Sequence, residues 1–373
     1  VSDNNISVML AAGGTGGHLF PAFALAEELG RRGVAVDLVT DMRGDRYGTG
    51  FPARAVHQVP SATVKGSSPL AVASTGITLA RGVAAAHSLL GRVRPAGVIG
   101  FGGYPTFPPL LAARMRRIPT ALHEQNAVLG RANRMLAKRV SAIATSFEKT
   151  KFLDGNLLAK TRFTGNPVRS VVIDAASAPY VAPGESGEFA LLVFGGSQGA
   201  RFFSDAVPPA LALLPPELRA RLRVTQQARE EDLDRVRQGY ATKGIAAEVS
   251  PFFKDLPARM AKSHLVIGRS GASSIAELTV IGRPSILVPL PHSLDNDQLQ
   301  NATRLAESGG AWCIEQRDAS AERLSREIAD LMQNPSRLTA AAAATKSQGR
   351  ADAVSRLADL VEELVRPKAA QGF

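Results

Sequence analysis

The chain predicts an α/β fold of two similar, doubly wound halves, on three observations. Short apolar runs that read as strands alternate with longer helical patterns and end in glycine, the rhythm of βαβ units and a parallel sheet. Three segments then recur in the same order, at offsets of 182, 168 and 165 residues: Ile6 to Gly17 as Ala190 to Gly199, Val98 to Gly103 as Val266 to Gly271, and Pro119 to Leu122 as Pro284 to Leu287. Finally, glycine loops at 13–17, 100–103 and 195–199 fall at predicted carboxyl ends of strands, where open α/β sheets bind ligands.

The halves divide near Gly165-Asn166-Pro167-Val168, giving domains at 1–168 and 169–349. The Pro/Gly/Ser-rich stretch from Ala176 to Gly187 reads as a surface loop just inside the second half. Val354, Leu357, Ala358, Val361, Leu364 and Val365 recur at helical spacing, so residues 350–366 form an amphipathic helix that needs an apolar surface to cover. The second half is the simple location, and packing back on the first half is the alternative.

Composition sets the outer bounds. With 373 residues, 45% hydrophobic and 21% charged, the chain has apolar material for two cores and is neither disordered nor collagen-like. The most hydrophobic stretch, Leu70 to Leu90, contains Arg81 and His87, and no basic flank precedes the first apolar run, so neither a membrane span nor a secretion signal is expected. The single Cys313 excludes an internal disulfide, a CxxC pair and a thiolate zinc cage, which suits a reducing cytoplasm. His123-Glu124 is followed by Gln125-Asn126-Ala127, so an HExxH zinc motif fails.

Net charge is +11, all of it in residues 1–168, while residues 169–373 are balanced. A basic half beside a neutral one points to an anionic partner, whether nucleic acid, a lipid surface or a polyphosphate substrate; a generally basic surface composition would give the same number.

Gly13-Gly14-Thr15-Gly16-Gly17-His18 lies between a strand and the helical pattern Pro21 to Gly30, so its backbone N–H groups can approach a phosphate at a helix N-terminus. No Lys-Ser/Thr ends it, which excludes a Walker A loop. As a dinucleotide fingerprint it puts Leu19 where a third Gly or Ala belongs, although Asp37 and Asp41 stand near the ribose-acid position. A tight turn packing helix on strand is the plain alternative for any one loop, and three such loops weigh against it. Gly195-Gly196-Ser197-Gln198-Gly199-Ala200 adds hydroxyl and amide donors suited to a diphosphate. Arg269-Ser270-Gly271-Ala272-Ser273-Ser274 again reads as strand, turn and helix start, with Glu277 one turn in, able to accept from ribose hydroxyls or to complement the helix dipole. A nucleoside diphosphate in the second half follows more naturally than a dinucleotide.

His18, at the end of the first loop, is either a general base or a structural hydrogen-bonder. His123-Glu124-Gln125-Asn126 clusters four polar side chains at a strand end, unlike a core strand. Asp295-Asn296-Asp297 and Asp232-Leu233-Asp234 have DxD spacing but precede or lie within predicted helices, where caps and solvated faces are common, so no metal site is expected. Helix N-termini can carry the charge of a leaving diphosphate.

These motifs converge. Gly-Gly-Thr-Gly-Gly-His at 13–18, Gly-Gly-Tyr at 102–104, His-Glu-Gln-Asn at 123–126, Gly-Asn-Pro-Val-Arg at 165–169, Gly-Gly-Ser-Gln-Gly-Ala at 195–200, and Arg269-Ser270-Gly271-Ala272 with Glu277 resemble the MurG family of N-acetylglucosaminyltransferases over nearly the whole chain. The resemblance implies a GT-B fold, with two Rossmann-like domains facing a central cleft and no cofactor. It also implies transfer of GlcNAc from UDP-GlcNAc to the 4-hydroxyl of MurNAc on lipid I, with inversion, to make lipid II for peptidoglycan synthesis. Family donor contacts carry over to Thr15, Gly16, Gly17, Asn126, Arg169, Ser197, Phe253 through its backbone, Glu277 and Gln298, with Asp297 where some members have a second amide. Gly13, Gly14, Gly102, Gly103 and Tyr104 become the acceptor-diphosphate site, and His18 the base with Glu124 competing.

The basic first half then reads as a peripheral contact with an anionic membrane at its cytoplasmic face rather than with nucleic acid. Partners are expected among cell-wall synthesis and division proteins. Arg114, Arg116, Arg117, Lys138 and Arg139 are the lipid-head candidates. Leu70, Ile77 and Ala84, with Lys65 and Arg81 nearby, read first as a buried helix face and second as an apolar membrane patch. The rival readings are another GT-B enzyme with a different lipid acceptor, a UDP-GlcNAc 2-epimerase, an NAD-dependent oxidoreductase, and a non-catalytic nucleotide-sugar binding protein.

Overall fold

The computed structural model describes residues 6–13, 16–41, 50–62, 69–196 and 201–366, the side chains of 69–72 excepted. The chain divides into two compact units, one running up to Arg169 and resuming at Ala351, the other Ser170–Arg350.

The first unit is built on seven parallel strands: β1 (Ser7–Ala11), β2 (Ala35–Thr40), β3 (Ala55–Gln58), β4 (Gly97–Gly100), β5 (Thr120–Glu124), β6 (Ala142–Thr145) and β7 (Thr161–Phe163), in the order β3-β2-β1-β4-β5-β6-β7. Helices α1 (Gly16–Arg31), α2 (Pro69–Val93), α3 (Phe107–Met115) and α4 (Arg131–Ala137) connect them. Alternation along β1 shows why the strand is apolar from Val8 to Ala11: Val8 and Leu10 enter one core and Met9 and Ala11 the other, so both faces of the sheet are covered.

The second unit repeats the plan. It contains α5 (Ser170–Ala175), β8 (Phe189–Phe194), α6 (Arg201–Ala212), α7 (Pro216–Ala220), β9 (Leu222–Gln227), α8 (Leu233–Ala241), β10 (Ala246–Ser250), α9 (Leu256–Lys262), β11 (Leu265–Gly268), α10 (Ala272–Ile281), β12 (Ser285–Leu287), α11 (Asp297–Glu307), β13 (Ala311–Cys313), α12 (Ala321–Gln333) and α13 (Pro335–Ser347). Its six parallel strands run β10-β9-β8-β11-β12-β13. The three recurring sequence segments are therefore β1, β4 and β5 in one sheet and β8, β11 and β12 in the other. In each sheet the winding reverses between the first two, at β1/β4 and at β8/β11. Such a switch point leaves a crevice outside the carboxyl ends of the strands, and the glycine loops follow those ends.

The final helix, α14 (Ala353–Val365), packs on the first unit. Leu357, Ala358, Leu360 and Val361 are buried in the same core as Val8, Leu10 and Leu25, and burial of each large side chain is worth about 1.5–3 kcal/mol. Its last turn rests over Gly97, where a Cβ would stand 2.6 Å from Val365 Cγ1. Arg32, just past α1, fixes the docking. Its guanidinium donates to Asp359 at 2.6 Å and to Ser355 Oγ at 2.9 Å while its Nε holds Glu28 at 2.7 Å.

One surface expectation needs correction. Ile77 is 56% exposed and Ala84 is exposed, so these positions of α2 do not form the buried face expected of them. The side chain of Leu70 and all of Lys65 lie outside the described residues.

Candidate active site

In the first unit, β1 ends at Ala11 beside Gly100, the last residue of β4, and the loops that follow bring two glycine segments together. His18, in the first turn of α1, lays its imidazole on the Gly102–Gly103 turn. A Cβ on Gly102 would lie 3.2 Å from His18 Cε1, and one on Gly103 3.4 Å from Cδ2. Both glycines have positive φ, 88° and 76°, so the turn needs glycine for its backbone as well as for the ring above it. A Cβ on Gly13 would lie 3.6 Å from Cδ2 of the same ring. Tyr104 follows, half-buried, at the start of a single 3-10 turn that Thr106 Oγ1 ties to the carbonyl of Gly103 at 2.8 Å. Gly14 and Thr15 lie outside the described residues; Gly16 is buried and Gly17 exposed at the start of α1.

The polar run at the end of β5 is buried in full at His123, Glu124 and Gln125. Burial is possible because each side chain is hydrogen-bonded. His123 Nε2 lies 3.0 Å from the Gly165 carbonyl. Gln125 Nε2 lies 3.0 Å from both the carbonyl and Nδ1 of His123, and Gln125 Oε1 lies 3.2 Å from His18 Nδ1. Burial lowers the His123 pKa to about 4, so that ring is neutral at ordinary pH.

Glu124, expected as the competing base, faces the other way. Its Oε1 accepts from Asn126 N at 3.0 Å and Asn126 Nδ2 at 3.3 Å; its Oε2 accepts from Gly130 N and Asn133 Nδ2, both at 2.8 Å. Burial raises its pKa and the four donors oppose the rise. A carboxylate so saturated orients Asn126 and the start of α4; it is not placed to take a substrate's proton. Arg169, four residues past Gly165, stacks its guanidinium on Phe20 at 5.0 Å, two residues beyond His18 on α1.

In the second unit the site is again at the strand ends. Gly195 donates to Gln227 Oε1 at 3.3 Å after β8, and Ser197 lies outside the described residues. Arg269, after β11, is buried against Phe202 and Phe203 and donates to the carbonyls of Val288 and Pro289, both at 3.0 Å, and to Gln316 Oε1 at 2.6 Å. Desolvation lowers its pKa to about 10. This cation is a brace for the next residues: Ser270 Oγ donates to the Gln298 carbonyl at 2.7 Å, and Asn301 Nδ2 to the Ser270 carbonyl at 3.0 Å.

Gly271, with extended backbone, then caps α10 without a side-chain bond. At that N-terminus the buried Oγ of Ser273 has no partner among the described residues, and Glu277 is buried a turn and a half in. Gln298, at the start of α11, is committed at Oε1 to Leu290 N at 3.0 Å, and Asp297 Oδ1 accepts from Gln298 N at 2.7 Å. Asp295 and Asn296 adopt left-handed backbone before that helix, and Asp232 is held by Arg235 at 2.6 Å while Asp234 is exposed. Phe253 is buried after β10 with Arg259 over its ring at 4.4 Å, leaving its backbone as the chemically informative part.

The first unit thus brings Gly13, His18, Gly102 and Gly103 together, and in the second Ser273 and Glu277 share the start of α10 while Ser270, just before it, holds the Gln298 carbonyl. Gln125, Asn133, Arg269 and Gln227 were not singled out as site residues. The uninterrupted polarity of 123–126 signals Gln125 and the Arg-Ser-Gly-Ala motif contains Arg269, while Asn133 and Gln227 carry no signal of their own.

The comparisons agree with this architecture. Residues 8–145 match the glycosyltransferase family 28 N-terminal domain and residues 190–357 the glycosyltransferase family 28 C-terminal domain. The UDP-N-acetylglucosamine--N-acetylmuramyl-(pentapeptide) pyrophosphoryl-undecaprenol N-acetylglucosamine transferase of Mesorhizobium japonicum is 54% identical over 98% of this chain and 97% of its own. Its namesake from Brucella abortus is 53% identical over 98% and 96%. Among solved structures, Acinetobacter baumannii MurG superposes with a TM-score of 0.80 at 27% identity, covering 96% of this chain and 99% of that one. The UDP-GlcNAc 2-epimerase of Neisseria meningitidis shares only the fold, with a TM-score of 0.64 at 15% identity over 96% of this chain and 100% of that one. With both family 28 domains in order and relatives more than half identical along nearly its whole length, the chain belongs to the UDP-N-acetylglucosamine--N-acetylmuramyl-(pentapeptide) pyrophosphoryl-undecaprenol N-acetylglucosamine transferases of glycosyltransferase family 28.

Proposed function

We propose that this enzyme transfers GlcNAc from UDP-GlcNAc to the 4-hydroxyl of MurNAc in the undecaprenyl-pyrophosphoryl-linked MurNAc pentapeptide, with His18 as the proton acceptor. The acceptor oxygen bonds to the anomeric carbon, the bond from that carbon to the β-phosphate oxygen breaks, UDP leaves with the electron pair, and the hydroxyl proton passes to the His18 imidazole. Attack opposite the leaving group inverts the anomeric centre. On the donor side, the N-terminus of α10 with Ser273 receives the diphosphate, Glu277 the ribose hydroxyls and the Phe253 backbone the uracil edge, with Arg169, Asn126, Ser197 and Gln298 completing the contacts. On the acceptor side, the backbone of Gly13 and of Gly102-Gly103-Tyr104 receives the lipid pyrophosphate.

The observation that carries the mechanism is the position of His18, seated by a glycine turn at the switch point of a sheet and hydrogen-bonded at Nδ1. Membrane contact is peripheral in this reading. No helix among the described residues is long and apolar enough to cross a bilayer, and Arg114, Arg117, Lys138 and Arg139 are exposed beside the exposed Met115 and Met135. They attract anionic headgroups at the cytoplasmic face, where the product serves cell shape and division.

The test is release of UDP from UDP-GlcNAc, with and without a lipid I analogue in anionic vesicles and with EDTA present. Release that depends on the analogue and survives EDTA is expected. Binding of UDP-GlcNAc with no release would overturn the transferase reading in favour of a binding protein.

A further inference from the structure

The hydrogen bonds behind His18 determine more than its position. The chain of contacts is anchored at two backbone carbonyls, which can only accept. Gly165 O therefore requires the proton of neutral His123 to sit on Nε2, leaving Nδ1 as an acceptor. The amide of Gln125 lies 3.0 Å from the His123 carbonyl and 3.0 Å from that Nδ1, so it must present its NH2 group to both. It cannot be turned over without setting its oxygen against the carbonyl. Its Oε1 is then the atom facing His18, and an amide oxygen only accepts, so His18 Nδ1 carries the ring proton.

We propose that Gln125, held by His123 and the Gly165 carbonyl, is a positioning residue that selects the Nδ1–H tautomer of His18 and thereby makes Nε2 its basic nitrogen. This rests on the reading of His18 as the proton acceptor. It goes beyond that reading by assigning the acceptor atom and the two buried side chains that choose it. An imidazole in the other tautomer would present N–H where the acceptor hydroxyl must deliver its proton, and catalysis would wait on a ring flip or proton exchange. Among the groups that meet the ring are Gln125, at Nδ1, and the backbone of Gly13, Gly102 and Gly103. Two titratable side chains share the polar run with Gln125: His123, neutral at ordinary pH, and Glu124, which is turned toward Asn126, Gly130 and Asn133.

The test needs no turnover in its first arm. In the wild-type enzyme labelled with 15N at its six histidines, ring 15N–1H correlations should show His18 protonated at Nδ1 and His123 at Nε2, assigned by loss of each signal in His18→Ala and His123→Phe. A His18 ring protonated at Nε2 overturns the proposal, whatever the variants do. In the second arm, Gln125→Met should lower kcat by about ten- to a hundredfold with KM for UDP-GlcNAc unchanged, less than the about 10²–10⁴-fold expected from losing the base itself. The same variant removes the acceptor that stabilises Nδ1–H of the imidazolium, so the acidic limb of its kcat/KM profile should move to lower pH, a shift that simple loosening of the pocket would not give. Wild-type kcat and profile in Gln125→Met, with turnover lost in His18→Ala, overturns the relay and leaves His18 as base. Full turnover in His18→Ala instead removes the base, and the spectra alone then decide the tautomer.

Discussion

Gly102 and His18 are in mutual contact so close that a methyl group on the glycine would stand 3.2 Å from Cε1 of the imidazole. The same glycine has φ 88°, a conformation that costs an ordinary residue about 1–2 kcal/mol. Gly102→Ala should therefore displace the ring of His18 and lower kcat about tenfold or more, since a misplacement near 1 Å at a reacting group is that damaging. The fall in stability should stay near the backbone term. Steady-state kinetics beside thermal unfolding separate the two, and an unchanged kcat would show that the ring does not need this seat.

The repeat of strand, glycine turn and helix was legible because its cause is local: β1 and β8 must be apolar to lie inside their sheets, and glycine must follow where backbone turns tightly. The role of Gln125 was not. A polar run at 123–126 announces that something pairs with it, but the partners, His18 and the Gly165 carbonyl, are 107 and 42 residues away from the groups they meet. Glu124 misled for the same reason. Its neighbours in sequence suggest an acid-base cluster, whereas the donors that saturate it include Gly130 and Asn133, which only the turn into α4 brings back. The docking of α14 was open because an amphipathic helix fits any apolar face; Gly97, which leaves room for Val365, and Arg32 supply the specificity.

Arg32 gives that docking a direct check. Its side chain is only 21% exposed and it bridges α1 to Ser355 and Asp359, so it is more than a surface ion pair. Arg32→Met keeps the aliphatic stem and removes the donors, and should free α14 by about 1–3 kcal/mol of local stability. Hydrogen exchange of the amides of 353–365 should rise while that of the second unit stays put. Equal protection in the variant would mean that Leu357, Leu360 and Val361 hold the helix without it.

His123 makes stability depend on pH with a definite sign. Its pKa is about 4 in the folded chain against about 6.5 when unfolded, so between these values the unfolded state binds more protons. Its contribution is full above pH 6.5 and is lost as pH falls toward 4, by about 2 kcal/mol between pH 7 and pH 5. Glu124 next to it titrates with the opposite sign, its raised pKa favouring the folded state as pH falls. The His123 term is therefore read as a difference from His123→Phe. Exchange of the β5 amides, corrected for intrinsic rates, should lose protection on acidification more steeply in the wild type than in the variant. Parallel pH dependence would mean that His123 is not the neutral, buried group described.

Ser273 separates binding from folding in the second unit. Its buried Oγ has no partner among the described residues, in the first turn of a ten-residue helix. Removing a hydroxyl that bonds nothing in the protein does not weaken the fold and can strengthen it slightly. A hydroxyl that donates to a diphosphate oxygen makes a charge-assisted bond, worth about 1.5–3 kcal/mol, or roughly ten- to a hundredfold in Kd. Ser273→Ala should therefore weaken UDP binding by about tenfold or more at unchanged unfolding temperature. Calorimetric titration measures the first, and Trp312, the one tryptophan of the chain and a residue of β13, reports the second by fluorescence. Lost affinity with an intact melt places the diphosphate at α10. Unchanged affinity would move it away from that helix and leave the glycine loop after β8 to hold it.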